Sequence, residues 1–497
     1  MIQLNCGLPR RVTNLDRGWT EPLHPNGYSL RPGSPTRQAA VEVMFALGII
    51  STLAFCWIAA RELYMQYGAF SSGGRSLAFG GLASAVAGVT LFFSLRWLLV
   101  QVMVIRSYIR STHEQPPDVV YWPFVSILVP GFNEAPSIQA TVRSLLTIDY
   151  PNFEILVLDD GSTDGMADKA RAYEGRHGPA ICRVLTKPNG GKWSAHNFGL
   201  MHARGELILC VDADTVFEAN ALKMLVRRMA DPKVGAVAGN AMVRNLNGLV
   251  SYCQGLEYVY SNTAFRLPQS DHGAVLCVPG PIGLFRRAAL EEVTRSHGQL
   301  PAGSPPGHFA GPFQHDSFCE DFDLSLAMLA GGWRIIYEPR AICHTEVPET
   351  LVGLISQRYR WTRGNLQVLA KFRRLYRPAP GPHGRRVMAW LISTYVIETA
   401  TSFLFNYIFV ALTIGMLLGP ASSVGFLATY WTINLLQRGL FSAIAILMHR
   451  ERLKLLWAWP IYEFFSALVL GGALVISVID QLRGTTMGWG REHRPAG

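Results

Sequence analysis

Charge is scarce in this chain. Only 16% of its 497 residues are Asp, Glu, Lys or Arg, while 49% are apolar. With a mean hydropathy of +0.19, that scarcity excludes a disordered or wholly solvated chain and argues for a soluble part joined to membrane spans. Cysteine is sparse and scattered. The eight, at positions 6, 56, 182, 210, 253, 277, 319 and 343, form no Cys-x-x-Cys pair and no Cys/His ligand spacing. This argues against a disulfide framework or zinc site and for a reducing compartment. The first 40 residues lack the apolar core of a signal peptide. Carrying Arg10, Arg11, Arg17, Arg31 and Arg37, residues 1–42 read as a basic, loosely ordered polar tail. Acidic balance is missing too, since 45 Lys and Arg against 35 Asp and Glu leave a formal charge of +10. Such an excess attracts nucleic acid, anionic lipid or a polyanionic small substrate. The cations cluster beside apolar stretches, so membrane lipid accounts for them and nucleic acid is not expected as a partner.

Five apolar stretches meet the requirement of roughly 20 residues for crossing a bilayer: 43–60, 77–104, 388–418, 424–448 and 455–479. The first two set a membrane region over 43–105 and the others a region of about three transmembrane or re-entrant helices over 388–480, before a basic tail at 481–497. The intervening 122–348 is too polar to be embedded. Arg106, Arg110, Arg450, Arg452 and Lys454 place the polar domain on the cytoplasmic side. A fifth full crossing would leave the basic tail outside, against the same rule, and Pro460 offers a break that makes this segment re-entrant. Arg96, Glu398, Arg438 and Glu463 fall within predicted spans, where charge is costly; they line a channel, pair between helices or snorkel.

The polar domain alternates apolar runs with helical patterns. Strands are predicted at 125–130, 153–160, 181–186, 206–214 and 234–240, an α/β arrangement with ligands at the C-terminal strand ends. Those ends carry PGFNEA (130–135), DDGSTDG (159–165), KPNGGKWSAHN (187–197) and VDAD (211–214). Glycine lets backbone approach a ligand, and Lys192 can neutralise phosphate; a helix entry with a solvated lysine is the plainer reading. Asp212 and Asp214, two apart on a strand, would project to one face and offer hard oxygens to Mg2+ or Mn2+. A surface turn is the alternative. Glu320 and Asp321 precede a helical pattern, either as first-turn acids favoured by the helix dipole or with one as general base. Residues 349–375 read as a basic interfacial helix. Within it, QRYRW (357–361) also places Gln357 and Arg360 one turn apart and offers the flat ring of Trp361.

The ordered series DDGS, GGK, D-x-D, ED and Q-x-x-R-W resembles the processive membrane glycosyltransferases of family 2, which include cellulose, chitin, hyaluronan and poly-N-acetylglucosamine synthases. The stretches GNAMVRN (239–245), PGPIGLFRRAAL (279–290) and 333–361 look most like the bacterial poly-β-1,6-N-acetylglucosamine synthases, while RWTRGNLQV (360–368) is also similar to cellulose synthases. The resemblance implies an α/β GT-A-type nucleotide-sugar transferase domain, with a mixed, mostly parallel sheet, inserted between transmembrane helices of a bacterial inner membrane. It implies that Glu134, Asp160, Lys192 and Asp212 bind a UDP-sugar, and that Asp212 and Asp214 hold Mg2+ or Mn2+. Asp321 is then the base, and Gln357, Arg360 and Trp361 receive pyrophosphate and the growing glycan acceptor. UDP-GlcNAc is favoured over UDP-glucose, and membrane lipids and a small accessory membrane subunit are the implied partners. A single-sugar transferase acting on a polyprenyl-phosphate or other lipid acceptor shares most of these motifs. A nucleotide-sugar-binding channel or sensor would not need the full acidic set. Two departures stand out: Cys319 replaces the family's threonine before Glu-Asp, and the Gly/Pro/His-rich stretch 297–317 is longer than the pattern and reads as a mobile gate near the base.

Overall fold

The computed structural model describes residues 35–71, 77–113, 121–300, 303–377, 381–397, 421–449 and 451–485. Two long helices come first, α1 (Pro35–Ser71) and α2 (Leu77–His113). Each contains a stretch long and apolar enough to cross a membrane, Gln38–Arg61 and Leu91–Ser111. The polar domain then alternates β1 (Val125–Gly131), α3 (Ile138–Leu146), β2 (Phe153–Asp159), α4 (Met166–Arg171), β3 (Gly175–His177), β4 (Ala180–Thr186), α5 (Lys192–His202), β5 (Leu207–Cys210), β6 (Val216–Phe217) and α6 (Ala221–Arg228). It continues through β7 (Val234–Val243), α7 (Leu249–Ser261), α8 (Leu267–Asp271), β8 (Gly283–Arg286), α9 (Arg287–His297), α10 (Glu320–Ala330), β9 (Arg334–Thr345) and α11 (Leu351–Lys371).

The strands form one sheet in the order β3-β4-β2-β1-β5-β8-β7-β9-β6. Pairing is parallel from β4 through β2 and β1 to β5 and again between β7 and β9, while β8 runs antiparallel to both β5 and β7. Alternation splits the sheet into two apolar faces. Ile127, Val129, Ile155 and Val157 pack against α3, α4 and α6; Leu128, Leu156 and Leu158 join the cluster with α5, α9 and α10. Each such fully buried aliphatic side chain contributes roughly 1.5–3 kcal/mol. The second cluster continues through Val41, Phe45, Val100 and Val104 of α1 and α2. The apolar helices and the sheet therefore share one core.

Four strands lie where the apolar runs predict them, but the expected strand 206–214 stops at Cys210. Asp212 to Thr215 form a turn closed by Thr215 N–H on Asp212 O at 3.1 Å. The strand-alternation argument for Asp212 and Asp214 therefore does not apply. Their neighbourhood comes from the turn.

The cationic ends of the apolar segments lie against the polar domain. Ser107 near the end of α2 donates to Asp271 at 2.7 Å, and His449, ending the helix Ala421–His449, sits 3.2 Å from Asn240. The last apolar stretch is broken into Leu453–Ala458, Trp459–Phe465, Ser466–Leu470 and Gly471–Leu482. Both of its ends touch the domain. Leu455 packs beside Gly255 of α7, and beyond the other end Tyr359 donates to Asp480 at 2.7 Å while Arg363 donates to Gln481 at 2.9 Å. The tails 1–34 and 486–497, Glu398, most of the stretch 388–418 and the side chain of Glu463 lie outside the described residues.

Candidate active site

The loops at the C-terminal ends of β1, β2, β4 and β5 converge. Asn133 adopts a left-handed φ of 57°, a strained region for most L-residues that Asn tolerates through local hydrogen bonding. Its side-chain amide oxygen accepts from Thr163 N–H at 2.8 Å, and its backbone N–H donates to the Ser162 hydroxyl at 2.9 Å, which ties the loop after β1 to that after β2. Glu134, half-buried beside it, accepts from the Ser137 hydroxyl at 3.0 Å.

Asp160 is buried and faces the loop after β4. Its carboxylate accepts from the Lys187 ammonium and from the N–H groups of Gly190 (3.0 Å) and Gly191 (2.8 Å). Asn189 donates to the Asp160 backbone carbonyl at 2.9 Å. The carboxylate thus organises the KPNGG loop, a glycine-rich turn feeding the N-terminus of α5. Gly161 (φ 75°) and Gly191 (φ 87°) supply the conformations that this close approach requires.

Lys192 opens α5 and is the hub of the site. Its ammonium lies 2.6 Å from Asp212 and 3.4 Å from Glu320, so GGK, D-x-D and ED meet at one nitrogen. Burial disfavours the cation, yet the Asp212 and Glu320 carboxylates outweigh it and raise the lysine pKa, keeping it charged. Gly280 closes the cradle: a Cβ there would stand 2.9 Å from the Lys192 nitrogen and 3.3 Å from Asp212. Sequence reasoning did not single out Gly280, and the signal available was its place in PGPIG between two prolines.

Asp214 accepts hydroxyl hydrogen bonds from Thr215 (3.3 Å) and Thr345 (3.2 Å). Asp212 and Asp214 both act on one buried thiol, Cys343, and with burial push its pKa well up. Among the described residues no group of three or more His, Cys, Asp or Glu is placed to hold a metal ion. Two aspartates on one turn fit a hard divalent cation that completes its shell on phosphate oxygens, and not one caged by protein alone.

Asp321 sits in the first turn of α10, where its carboxylate accepts from Phe322 N–H at 2.8 Å and faces the Cys277 thiol at 3.8 Å. Burial and the adjacent Glu320 charge push its pKa up to about 6, against the pull of Lys192. A carboxylate poised there accepts a proton near neutrality.

On α11, Gln357, Arg360 and Trp361 are half-buried, and the Gln357 side-chain oxygen is enclosed without a hydrogen-bond partner. The helix is held close to the base: a Cβ at Gly364 would lie 2.5 Å from the Cys319 sulfur, and Cys319 donates to Trp361 O at 3.5 Å. Small residues at 319 and 364 permit this. The Trp361 ring is not open on both faces, because the Arg358 guanidinium stacks 4.3 Å from its centroid while donating to Glu257 of α7 at 2.8 Å. Arg358 and Arg363 are themselves buried. The expectation that these cations serve lipid head groups is corrected for those two: they bind Glu257, Gln481 and the Thr485 carbonyl. Helical periodicity gave them to a surface because it cannot see a neighbouring helix.

Within the expected gate at 297–317, residues 307–313 are docked on α5. Ser194 and Asn197, both buried on α5, hold Gly307, Phe309 and Phe313 by hydrogen bonds of 2.6–3.2 Å.

A family model described as glycosyltransferase-like family 2 matches residues 123–364. The poly-beta-1,6-N-acetyl-D-glucosamine synthase of Staphylococcus epidermidis is 32% identical over 264 residues, 53% of this chain and 58% of that protein. Its namesake from Staphylococcus aureus (strain COL) is 30% identical over 285 residues, 56% of this chain and 65% of that one. The chain thus spans less than two thirds of the length of these curated relatives. Among solved structures, the mannosyltransferase PcManGT from Pyrobaculum calidifontis, in complex with GDP-Man and Mn2+, has a TM-score of 0.51 at 22% identity. That match covers 78% of this chain and 97% of the mannosyltransferase, and the shared feature is the GT-A-like fold.

Proposed function

Because residues 123–364 form a family 2 glycosyltransferase domain, we propose that the chain is a processive, inverting transferase that polymerises UDP-GlcNAc into a β-linked glycan and extrudes it across the bacterial inner membrane. The observation that carries this reading is the Lys192 ammonium shared by Asp212 and Glu320, with Asp321 beside it. One cation, a two-aspartate turn and a base near pKa 6 are what transfer from a nucleotide diphosphate needs. The relatives named poly-beta-1,6-N-acetyl-D-glucosamine synthase support the choice of sugar and product.

In this mechanism Glu134 and Asp160, with the 187–191 loop, frame the nucleotide. Lys192 and Arg360 meet the diphosphate, and Asp212 and Asp214 would hold Mg2+ or Mn2+. The cation supplies electrostatic stabilisation of the departing diphosphate. Asp321 takes the proton of the acceptor hydroxyl, the freed oxygen pair bonds the anomeric carbon from the opposite face, and the bond to phosphate breaks with its electrons leaving on UDP. Configuration inverts. Trp361, backed by Arg358, offers its other face to the terminal sugar, and Gln357 offers an enclosed carbonyl oxygen to a hydroxyl.

The domain limits follow the same reading, except that α1 already begins at Pro35 inside the expected tail 1–42: two spans within 43–105, the transferase at 122–348, the acceptor helix at 349–375, membrane helices over 388–480 and a tail at 481–497. Side chains such as Val43, Leu47, Ile50, Leu95 and Leu99 are exposed on α1 and α2 and suit lipid. The last apolar segment, touching the domain at both ends, is read as re-entrant, which leaves the basic tail on the cytoplasmic side. A small accessory membrane subunit completes the assembly.

Purified protein in lipid, supplied separately with radiolabelled UDP-GlcNAc and UDP-glucose, tests the reading. Polymer from UDP-GlcNAc alone, cut by a β-1,6-N-acetylglucosaminidase, is expected. A single sugar on a lipid would replace the polymerase reading, and no transfer from either donor would end it.

A further inference from the structure

Within the stretch 297–317, which reads as longer than the family pattern, the structure packs residues 307–315 against α5 and the loop after β4. Gly307 presses on the loop after β4 so closely that a Cβ on it would lie 2.6 Å from Pro188 O and 3.1 Å from Asn189 O. A Cβ on Gly190 would in turn strike Gly307 O. Lys187, which also holds Asp160, lies 5.8 Å from the centroid of the Phe309 ring.

Two buried side chains of α5 fasten the segment. The Ser194 hydroxyl donates to Gly307 O at 2.6 Å and accepts from Phe309 N–H at 3.1 Å. Asn197 donates to Phe309 O and Phe313 O, both at 2.9 Å, and accepts from Phe313 N–H at 3.2 Å. Both N–H donors and the carbonyl oxygen of the Asn197 side chain are thus directed at one short stretch of backbone. Rings complete the seal: His196 stacks on Phe313 at 4.5 Å, and Trp193 packs against His308 and His315. The common effect of these groups is to clamp residues 187–191 between Asp160 on one side and Gly307 on the other.

We propose that Ser194 and Asn197 are positioning residues for the nucleotide donor: they hold residues 307–313 as a strap that fixes the 187–191 loop in its ligand-binding shape. This inference rests on the reading of that loop as a UDP-sugar site. A loop ending in two adjacent glycines is costly to order on its own, because glycine loses the most conformational freedom. A strap that orders it in advance removes that cost from binding.

The test uses the full chain in detergent or nanodiscs, with UDP alone as calorimetric probe and with donor and acceptor varied separately in turnover assays. Asn197→Ala is expected to weaken UDP binding roughly 10-fold and to raise the donor KM alike, leaving acceptor KM and kcat within about threefold. Ser194→Ala and Gly307→Ala should move the same two quantities in the same direction, and they carry the test if Asn197→Ala does not fold. Unchanged UDP affinity in the folded variants, or a fall in kcat with UDP affinity intact, overturns the inference. A wild-type chain that does not bind UDP overturns the nucleotide reading and this inference with it. Intact binding in wild type and variants alike overturns this inference alone.

Discussion

Two buried acidic sites of the same domain titrate in opposite directions. At the N-terminal side of the sheet, Glu154 is fully enclosed: burial alone would raise its pKa, but bonds from Arg204 (2.8 Å) and Ser126 (2.7 Å) hold it below the usual range. Glu338 repeats the pattern with Arg228 and Arg340. At the C-terminal strand ends, Asp321 shares its turn with the like charge of Glu320, and Lys192 is divided between Glu320 and Asp212. Burial and the Glu320 charge raise the Asp321 pKa to about 6. Arginines neutralise Glu154 and Glu338, whereas burial and a like charge leave Asp321 under-neutralised, as the base proposed above requires.

The sharpest way to break this comparison is Asp321→Asn. It should lower turnover by about 10^3-fold, as loss of a general base does, with UDP affinity retained; near-normal polymer formation would remove Asp321 from the mechanism. Asp212→Asn comes next. Losing half of the turn's carboxylate pair and a partner of Lys192 should cost roughly 10^2-fold in kcat and make activity less responsive to added Mn2+. An unaltered metal titration would separate this turn from cation binding.

Glu154→Gln should act on stability and not on chemistry. Weakening the hydrogen bonds to this enclosed carboxylate, whose Arg204 partner is half-exposed, costs about 1–2 kcal/mol, read as a lower denaturation midpoint, with turnover per folded molecule unchanged. The signs with pH also differ. Glu154 and Glu338, held below their ordinary values, stabilise the fold above the unfolded carboxylate range, and this is lost as pH falls through their folded pKa values. Asp321, held up at about 6, does the reverse, its contribution fading as pH rises through that value. The smallest effect is on the activity profile. The acid limb should rise through about pH 6, and Glu320→Gln should shift it to lower pH by removing a like charge. A limb unmoved by that substitution would show that Asp321 is not the group titrating.

The candidate site was readable because its motifs sit at strand ends and helix starts, which periodicity locates. KPNGGK, DAD and ED could be listed in order from the chain, but their meeting at the Lys192 nitrogen could not. Cys277, Gly280 and the Asn197 clamp were out of reach for the same reason: their partners lie tens of residues away. The two-aspartate turn was assigned to a strand because an apolar run does not say at which residue pairing ends.

By itself, the sequence determined the alternation of apolar runs, the two leading helices and the identity of the charged groups available for chemistry, since each depends on local spacing. Only the tertiary structure decided which carboxylates are quenched, that the Arg358 guanidinium covers one face of Trp361, and that residues 307–313 are held by Ser194 and Asn197. Those outcomes depend on desolvation and on hydrogen bonds between distant segments, and neither is encoded in the spacing of neighbours along the chain.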